Sequence, residues 1–174
     1  MKILLHTCCG PCTTYVHEWL KDQGFGVTGF FYNPNIHPYK EFQRRLEALK
    51  SYAEKSKLPM IYDENYDLEE FLRRVMDKGE RRCYECYQLR LEKTAQRAKK
   101  EGFSLFTTTL LISPYQKHEW AKEIGEKLTE KKRLEFFYHD FREGYQESIK
   151  LSRDFELYRQ SYCGCIFSEK ERYA

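Results

Sequence analysis

The residues of this 174-residue chain whose types and spacing could do chemistry are its seven cysteines, which fall into three short groups. The groups are HTCCGPC with Cys8, Cys9 and Cys12, RRCYECY with Cys83 and Cys86, and YCGC with Cys163 and Cys165. A spacing of three residues at a helix start, or of two residues in an extended segment, points two thiolates in one direction. Each group can therefore present paired sulfur ligands to a metal ion.

The first group also contains two adjacent cysteines, Cys8 and Cys9. Adjacent side chains in an extended segment point apart, so this pair suits a single tetrahedral ion poorly. It is well placed to reach two different metals, or one metal and one substrate.

Three kinds of site fit these cysteines. Two C-x-x-C pairs would complete a four-thiolate zinc site, although about 70 residues separate them and three cysteines would be unused. CGPC between a strand and a helix matches the redox dithiol of thioredoxin, where a helix N-terminus lowers the thiol pKa. An iron–sulfur cluster takes four ligands, so five to seven sulfurs in one cavity would allow a cluster and a second metal. The last hypothesis uses the most cysteines.

The composition limits the compartment and the partners. The net charge is +3, from 30 basic and 27 acidic side chains, which permits a nucleic-acid partner without demonstrating one. The N-terminal apolar run is too short for a secretory signal, and no apolar window approaches the ~20 residues that span a bilayer. We therefore expect a cytoplasmic protein without a membrane segment, in a compartment that keeps thiols reduced.

The apolar periodicity predicts strands that alternate with helices along the chain. The predicted strands cover residues 2–7, 26–32, 59–63, 104–111 and 134–140. The predicted helices cover residues 13–24, 39–57, 68–76, 83–101 and 113–128. This alternation is typical of an α/β fold, and we predict a single domain over residues 1–174 with a Rossmann-like, doubly wound, mainly parallel sheet.

Functional sites in such folds form beyond the carboxyl ends of the strands. Residues that follow predicted strands, and so could share that edge, are Cys8, Cys9, Asn33, Ser113 and Asp140. Cys83 and Cys86 begin a helix instead. The C-terminal segment with Cys163 and Cys165 must fold back if its cysteines are to join the others.

Six blocks of sequence together indicate a family. In chain order they are HTCCGPC, FYNPNIHPYKEFQRR, RRCYECYQLRLEKTA, FTTTLLISPYQ, HDFREGY and YRQSYCGCIFSEKE. With these blocks the chain closely resembles the cobalamin-independent epoxyqueuosine reductases, the QueH family, which act in the last step of making the tRNA nucleoside queuosine. The blocks run from end to end of the chain, so the resemblance covers all of it.

The resemblance implies an adenine-nucleotide α-hydrolase-like, Rossmann-type fold with a 4Fe-4S cluster and a nearby mononuclear metal, expected to be iron held by cysteine and carboxylate. It implies a tRNA substrate with epoxyqueuosine at the wobble position and an electron donor that the sequence does not identify. ATP-using relatives of this fold carry a Ser-Gly-Gly phosphate loop after the first strand. This chain has TCCGPC there, so we expect no activation by ATP.

Reduction of an epoxide to an alkene needs two electrons and two protons, and no amino-acid side chain supplies electrons at low potential. We expect the cluster to be held by Cys9, Cys83 and Cys86, together with either Cys12 or Cys165. We expect the second metal, a Lewis acid for the epoxide oxygen, at Cys8 and Cys163, with Asp140 as a further candidate. The spacing leaves the division between the two sites open.

Polar residues near the predicted strand ends complete the predicted site. Asp140 could bind the metal or deliver a proton, or it could cap the next helix. Tyr32, His37 and Tyr115 are the other candidate proton donors, although a plain loop hydrogen bond is the alternative for His37. The candidate substrate-binding residues, for base or phosphate recognition, are Asn33, Asn35, Ser113, Arg81, Arg82 and Arg142.

Two other functions stay open from the sequence. A zinc-stabilised RNA-binding module would hold a colourless d10 ion, whereas an iron–sulfur protein absorbs broadly in the visible range. A thiol–disulfide oxidoreductase would need only Cys9 and Cys12, so it would survive the loss of Cys83.

Overall fold

The computed structural model describes residues 1–129 and 133–174, in which five strands form one sheet between layers of helices. The strands are β1 (Lys2–His6), β2 (Gly26–Phe31), β3 (Met60–Tyr62), β4 (Leu105–Thr108) and β5 (Glu135–Phe136). Their order is β3-β2-β1-β4-β5, and every neighbouring pair is parallel. The predicted α/β class with a parallel sheet is confirmed.

The helices connect these strands and also follow the last of them. In the described residues they are α1 (Gly10–Asp22), α2 (Tyr39–Ser56), α3 (Leu68–Val75), α4 (Arg82–Lys100), α5 (His118–Lys127), α6 (Tyr145–Asp154) and α7 (Ile166–Tyr173). Short 3-10 turns lie at Gly79–Arg81, Thr109–Leu111 and Phe141–Gly144.

The winding of the chain reverses at the centre of the sheet. From β1 the chain runs outward through β2 to β3, and α3 and α4 then carry it back across to β4, on the other side of β1. Helix α1 packs against α2 and α6, whereas α4 packs against α3 and α5. Because parallel crossovers are right-handed, the reversal puts these two helix groups on opposite faces of the sheet. The fold is therefore doubly wound, with its switch point between β1 and β4.

Both faces of the central strands are covered, which explains their continuous apolar sequence. Ile3, Leu4 and Leu5 of β1 are fully buried, as is Phe106 of β4. No helix in residues 1–129 or 133–174 is both long enough and apolar enough to cross a membrane.

Several element boundaries differ from the prediction. Helix α1 begins at Gly10 rather than at residue 13, because Cys9 has the extended backbone of an N-cap and Pro11 suits the first turn. Strand β4 ends at Thr108, whose hydroxyl oxygen accepts from the backbone N–H of Leu110 and starts a 3-10 turn instead of continuing the strand.

Helices α6 and α7 were not predicted because neither has a clear apolar stripe. The buried residues of α6 are Ser148 and Ser152, whose hydroxyls donate to carbonyls within the same helix. Helix α7 has no fully buried residue. A polar inward face of this kind gives almost no signal at a period of 3.6 residues.

Gly125 shows how closely α5 packs on the sheet. A Cβ at this position would lie 2.6 Å from Cγ of Phe136, a contact that rotation of the ring cannot relieve. Alanine is the better helix former by about 1 kcal/mol, but overpacking costs about 1–3 kcal/mol. We therefore expect Gly125→Ala to lower the free energy of unfolding, measured by urea denaturation, by about 1 kcal/mol.

Gly26→Ala in β2 is the matched control, since the nearest atom to its added Cβ is at 3.7 Å. It should leave stability unchanged or raise it slightly. Equal stability of Gly125→Ala and the wild type would contradict the packing described for α5.

Candidate functional site

A cavity of about 400 Å³ lies at the carboxyl edge of the sheet, at the switch point. Its walls include Cys8 after β1, Asn33 after β2 and Thr109 after β4, together with Arg90 of α4. Residues 160–163 of the C-terminal segment close one side. Doubly wound folds place their ligands at this position, so the cavity is the candidate site.

The first strand ends, just before the cavity-lining Cys8, in a buried histidine. The His6 Nε2–H donates to the carbonyl oxygen of Tyr32 at 3.1 Å, which leaves Nδ1 to accept from the hydroxyl of Thr108 at 2.9 Å. Burial, reinforced by the charge of Arg90, lowers the pKa of His6 to about 3. The ring is therefore neutral and ties β1 to its two neighbours.

Cys8 lies directly between the ends of β1 and β4. Its backbone N–H donates to Oγ1 of Thr109 at 3.0 Å, and the Thr109 hydroxyl lies 3.1 Å from the Cys8 sulfur. The guanidinium of Arg90 lies 3.8 Å from the same sulfur. Burial raises the pKa of the Cys8 thiol to about 11, although Arg90 and Thr109 act in the opposite direction.

Cys9 and Cys12 form a thiol pair at the start of α1. The Cys12 thiol hydrogen-bonds to the Cys9 sulfur, which lowers the pKa of Cys9 and raises that of Cys12. The side-chain amide of Gln160 also donates to the Cys9 sulfur at 3.1 Å. Cys8 and Cys9 therefore have different partners, and only Cys8 of the two lines the cavity.

The first turn of α4 brings the second cysteine group to the third. Burial raises the pKa of the Cys86 thiol to about 12 and also raises that of Cys83, and for both thiols the nearby Cys163 and Cys165 add to the increase. The second and third cysteine groups are therefore close enough to influence each other electrostatically. The C-terminal segment therefore folds back onto the site, as predicted.

A buried ion pair holds the C-terminal segment in place. Arg45 and Glu41 of α2 are both buried and pair at 2.8 Å. The same guanidinium donates to the carbonyl oxygens of Cys163 at 2.7 Å and Tyr162 at 2.9 Å. The second oxygen of Glu41 accepts from the hydroxyl of Tyr158 at 2.8 Å. We call these five residues the C-terminal clamp.

His37 adds a second attachment for this segment. Its backbone N–H donates to the Gly164 carbonyl at 2.7 Å, and its backbone carbonyl accepts from the Tyr162 hydroxyl. The ring donates to the Pro34 carbonyl at 2.8 Å and accepts from the Ile166 N–H at 3.2 Å. Both ring nitrogens are thus occupied by backbone groups, and the side chain does not line the cavity.

Seven of the 17 predicted site residues line the cavity. Those that line it are Cys8, Cys12, Cys163, Asn33, Asn35, Ser113 and Tyr115. The Asn33 amide N–H donates to the Thr7 carbonyl at 2.8 Å, whereas the side-chain oxygens of both Asn33 and Asn35 are buried without a hydrogen-bond partner. Both residues line the cavity, but these two oxygens are buried beneath its wall, so a ligand with hydrogen-bond donors would reach them only after the amides turned.

The predicted residues that do not line the cavity have other contacts. Asp140 caps the 3-10 turn at Phe141–Gly144 and forms a two-point ion pair with Arg142, which lowers the pKa of its carboxyl. Tyr32 lies in the core and stacks on Phe30. Arg81 stacks over Tyr84, and Arg82 stacks over Phe167.

Side chains that were not predicted also contact the cysteines, among them Arg90, Gln116 and Gln160. Arg90 follows Cys86 by one helical turn and Cys83 by two turns, so its position on the same face of α4 could have been read from the sequence. The amide of Gln116 donates to the Cys163 sulfur at 3.3 Å and accepts from the Tyr87 hydroxyl at 2.5 Å. No comparable spacing signals the two glutamines, which reach their sulfurs through tertiary structure.

The donor set suits a metal–thiolate centre. All seven cysteines are free thiols, and Cys8, Cys12 and Cys163 line the cavity. Cys83 and Cys86 of α4 lie near enough to Cys163 to be affected by its charge. In residues 1–129 and 133–174 no three His, Cys, Asp or Glu side chains are positioned as a finished metal site. Metal binding would therefore require the thiols to turn towards a common point and lose their protons.

Comparison with known proteins agrees with the cysteine pattern. The family model described as Epoxyqueuosine reductase QueH matches residues 3–171. The protein named Epoxyqueuosine reductase QueH from Dehalococcoides mccartyi is 40% identical over 172 residues, 99% of this chain and 94% of its own. Its namesake from Thermotoga maritima is 40% identical over 182 residues, 98% of this chain and 91% of its own. The one from Streptococcus pyogenes is 33% identical, over 97% of this chain and 71% of its own.

The C-terminal clamp can be tested by removing its charge. Arg45→Met leaves the buried carboxylate of Glu41 without a partner, a change that typically costs about 3–5 kcal/mol, and frees the carbonyls of residues 162 and 163. Cys9 is only 1% exposed, and Gln160 of the released segment contacts its sulfur. We expect alkylation of Cys9 in the metal-free protein, followed by peptide mass spectrometry, to become at least about tenfold faster.

Lys40→Met removes an exposed cation from the same helix and should leave the labelling rate unchanged. Circular dichroism would establish that both variants are folded. If Cys9 of a folded Arg45→Met protein is alkylated at the wild-type rate, the clamp does not hold the segment in place.

Proposed function

The chain belongs to the epoxyqueuosine reductase QueH family, and on this basis we propose that it reduces the epoxide of epoxyqueuosine in tRNA to the cyclopentene of queuosine. Relatives are named as reductases over nearly their full length, so the chain is an oxidoreductase. The observation that carries the proposal is the set of free thiols at the switch point, where Cys8, Cys12 and Cys163 line one cavity and Cys83 and Cys86 lie near Cys163.

The reaction determines what the site must provide. Two electrons and two protons enter, both C–O bonds of the epoxide break, and the oxygen leaves as water. Thiols alone are poor sources of low-potential electrons, and a 4Fe-4S cluster with a nearby iron would supply single electrons and Lewis-acid assistance. The electrons come from an external donor that stays unidentified.

The cysteines divide between the two metals as follows in our proposal. Cys9, Cys83 and Cys86 hold the cluster with either Cys12 or Cys165. Cys8 and Cys163, which line the cavity, hold the mononuclear iron. Asp140 stays a candidate for that metal, although it would first have to leave its ion pair with Arg142.

The cavity also supports the proposed substrate. Its volume of about 400 Å³ lies in the range of small-molecule sites and suits one extruded nucleobase with its cyclopentane substituent. That ring carries two hydroxyl groups, and the side-chain oxygens of Asn33 and Asn35 would accept hydrogen bonds from them once these amides turned towards the cavity. Ser113 and Tyr115 line the same cavity.

Among the predicted proton donors, Tyr115 has the most direct access. Its side chain is 84% exposed and lines the cavity mouth, so its hydroxyl can exchange protons with water. Burial raises the pKa of Tyr32 to about 12, and the hydrogen bonds of His37 attach it to the C-terminal segment. Tyr32 and His37 stay proton-donor proposals that need movement to act.

For the tRNA, the proposed contacts are cationic side chains stacked on aromatic rings. Arg81 lies over Tyr84 at 4.4 Å and Arg82 over Phe167 at 4.4 Å, both close to the second cysteine group in sequence. Such pairs can neutralise phosphates and stack on unpaired bases. Arg142 would contribute a further positive charge only when its ion pair with Asp140 opens.

The thiol pair at Cys9 and Cys12 favours one rival function. Its hydrogen bond and the lowered pKa of Cys9 are features of thiol–disulfide oxidoreductases. That function would use none of the five other cysteines, so a variant of the second group separates the two.

We first expect the anaerobically reconstituted protein to contain about four sulfides and about four or five irons per chain and to be brown. It should convert tRNA that contains epoxyqueuosine into tRNA that contains queuosine with a strong reductant, as followed by nucleoside mass spectrometry. Cys83→Ala should lose the cluster, its visible absorption and at least about 99% of the activity, because the cluster lacks a ligand.

Two results together would favour the thiol–disulfide function. The Cys83→Ala protein would keep a dithiol reductase activity, and the wild-type protein would not reduce the epoxide. Stoichiometric zinc without sulfide, unchanged by reconstitution with iron and sulfide, would favour the zinc-stabilised RNA-binding module.

Asn35 offers a test of the substrate site. Loss of one hydrogen bond between neutral groups costs about 0.5–1.5 kcal/mol, so Asn35→Ala should weaken binding of queuosine-containing tRNA roughly 2–10-fold. Binding of tRNA with 7-aminomethyl-7-deazaguanine at the same position, which lacks the diol ring, should not change. Asn65→Ala, at an exposed amide outside the cavity, is the control. An equal loss for both tRNAs would remove Asn35 from diol recognition.

A further inference from the structure

Two arginines of this protein are almost completely buried, and their partners differ. Arg45 and Arg90 are each 2% exposed. Arg45 pairs with the carboxylate of Glu41 at 2.8 Å. In the part of the chain that the structure describes, no carboxylate lies within 4.0 Å of the Arg90 guanidinium. Arg90 is therefore a buried cation without an anionic partner of the usual kind.

The groups around Arg90 are mainly sulfurs. Its Nη1 lies 3.8 Å from the sulfur of Cys8, and its Nε donates to the carbonyl of Cys86 at 3.4 Å. The guanidinium carbon lies 5.6 Å from the centre of the Tyr87 ring. The side chain forms part of the cavity wall beside Cys163. Among these neighbours, the cysteines are the groups that become negative when they bind a metal.

The energy of such an arrangement requires an anion. A guanidinium does not lose its proton in a protein, so it cannot escape burial by becoming neutral. One long contact to sulfur and one to a carbonyl compensate little of the several kcal/mol that desolvation of an ion costs. A cluster held by four thiolates carries a net negative charge, which increases when the cluster accepts an electron.

We infer that Arg90 is the counter-ion of the metal–thiolate centre and raises its reduction potential by stabilising the more negative, reduced state. This inference rests on the proposed function, because it requires the cluster. Arg90 acts through the centre, so it is a positioning and tuning residue. Its fixed charge also favours the gathering of several thiolates during cluster assembly.

The test is the reduction potential of the reconstituted cluster, followed by visible and electron paramagnetic resonance spectra during an anaerobic titration. Arg90→Gln should lower the equilibrium constant for one-electron reduction at least about tenfold, which corresponds to about 59 mV. Arg90→Lys, which keeps the charge, should stay within about threefold of the wild type. Because buried charges are screened little, the difference should persist in 1 M KCl.

Arg97→Gln is the matched control. Arg97 lies two turns further along α4 and pairs with Glu101 at 3.2 Å, so this variant has the same change of charge on the same helix but away from the cysteines. It should leave the potential unchanged. Equal potentials for the Arg90→Gln and Arg97→Gln proteins would overturn the inference while the reductase function stands.

Two further outcomes are decisive. If the Arg90→Gln protein assembles no cluster, the test is made on Arg90→Lys instead. Recovery of iron and sulfide in the lysine variant supports the role of charge. Failure of both variants to assemble the cluster would show that Arg90 has a packing role and would overturn the inference. If the wild-type protein itself binds no iron and sulfide, the proposed function fails, and that result is recognised before any variant is made.

Discussion

The geometry of the site depends on the reversal of winding between β1 and β4. Because the chain leaves β1 on one side of the sheet and returns to β4 on the other, the loops after these strands diverge and leave a crevice. The two loops that form the crevice are connected at its base, since the Thr109 hydroxyl contacts both the N–H and the sulfur of Cys8. A fold that binds phosphates at this point in other proteins presents sulfur here, through the residues that follow its first strand.

The third cysteine group needs a different explanation, because no strand positions it. Residues 158–166 contact the rest of the fold mainly through polar groups of Arg45, Glu41 and His37. The clamp therefore stabilises a segment that buries little apolar surface, and its position is linked to whatever fills the cavity. A ligand that binds residues of both the sheet edge and this segment must favour the docked state by its own binding free energy.

The sequence was sufficient for the class of fold and for singling out the cysteine groups, because both depend on local patterns. Buried strands were visible as apolar runs, and the cysteine groups were visible as spacings. Helix α6 was missed since its buried face consists of Ser148 and Ser152. Asp140 was expected at the shared strand edge, yet β5 is only two residues long and the carboxylate caps the following turn with Arg142. Such outcomes depend on tertiary contacts that no local pattern reports.

Arg45 and Arg90 are equally buried, but only Arg45 has partners within the protein that explain its burial structurally. Both side chains cost desolvation, but the first recovers it within the protein through a carboxylate and two carbonyls. The second recovers little from the polypeptide alone. A protein with such an imbalance at its switch point would be more stable with an anionic centre bound than without one, because the charge that opposes folding of the metal-free chain would attract thiolates bound to a metal. In the proposed holoprotein, cofactor assembly would therefore favour folding at this site.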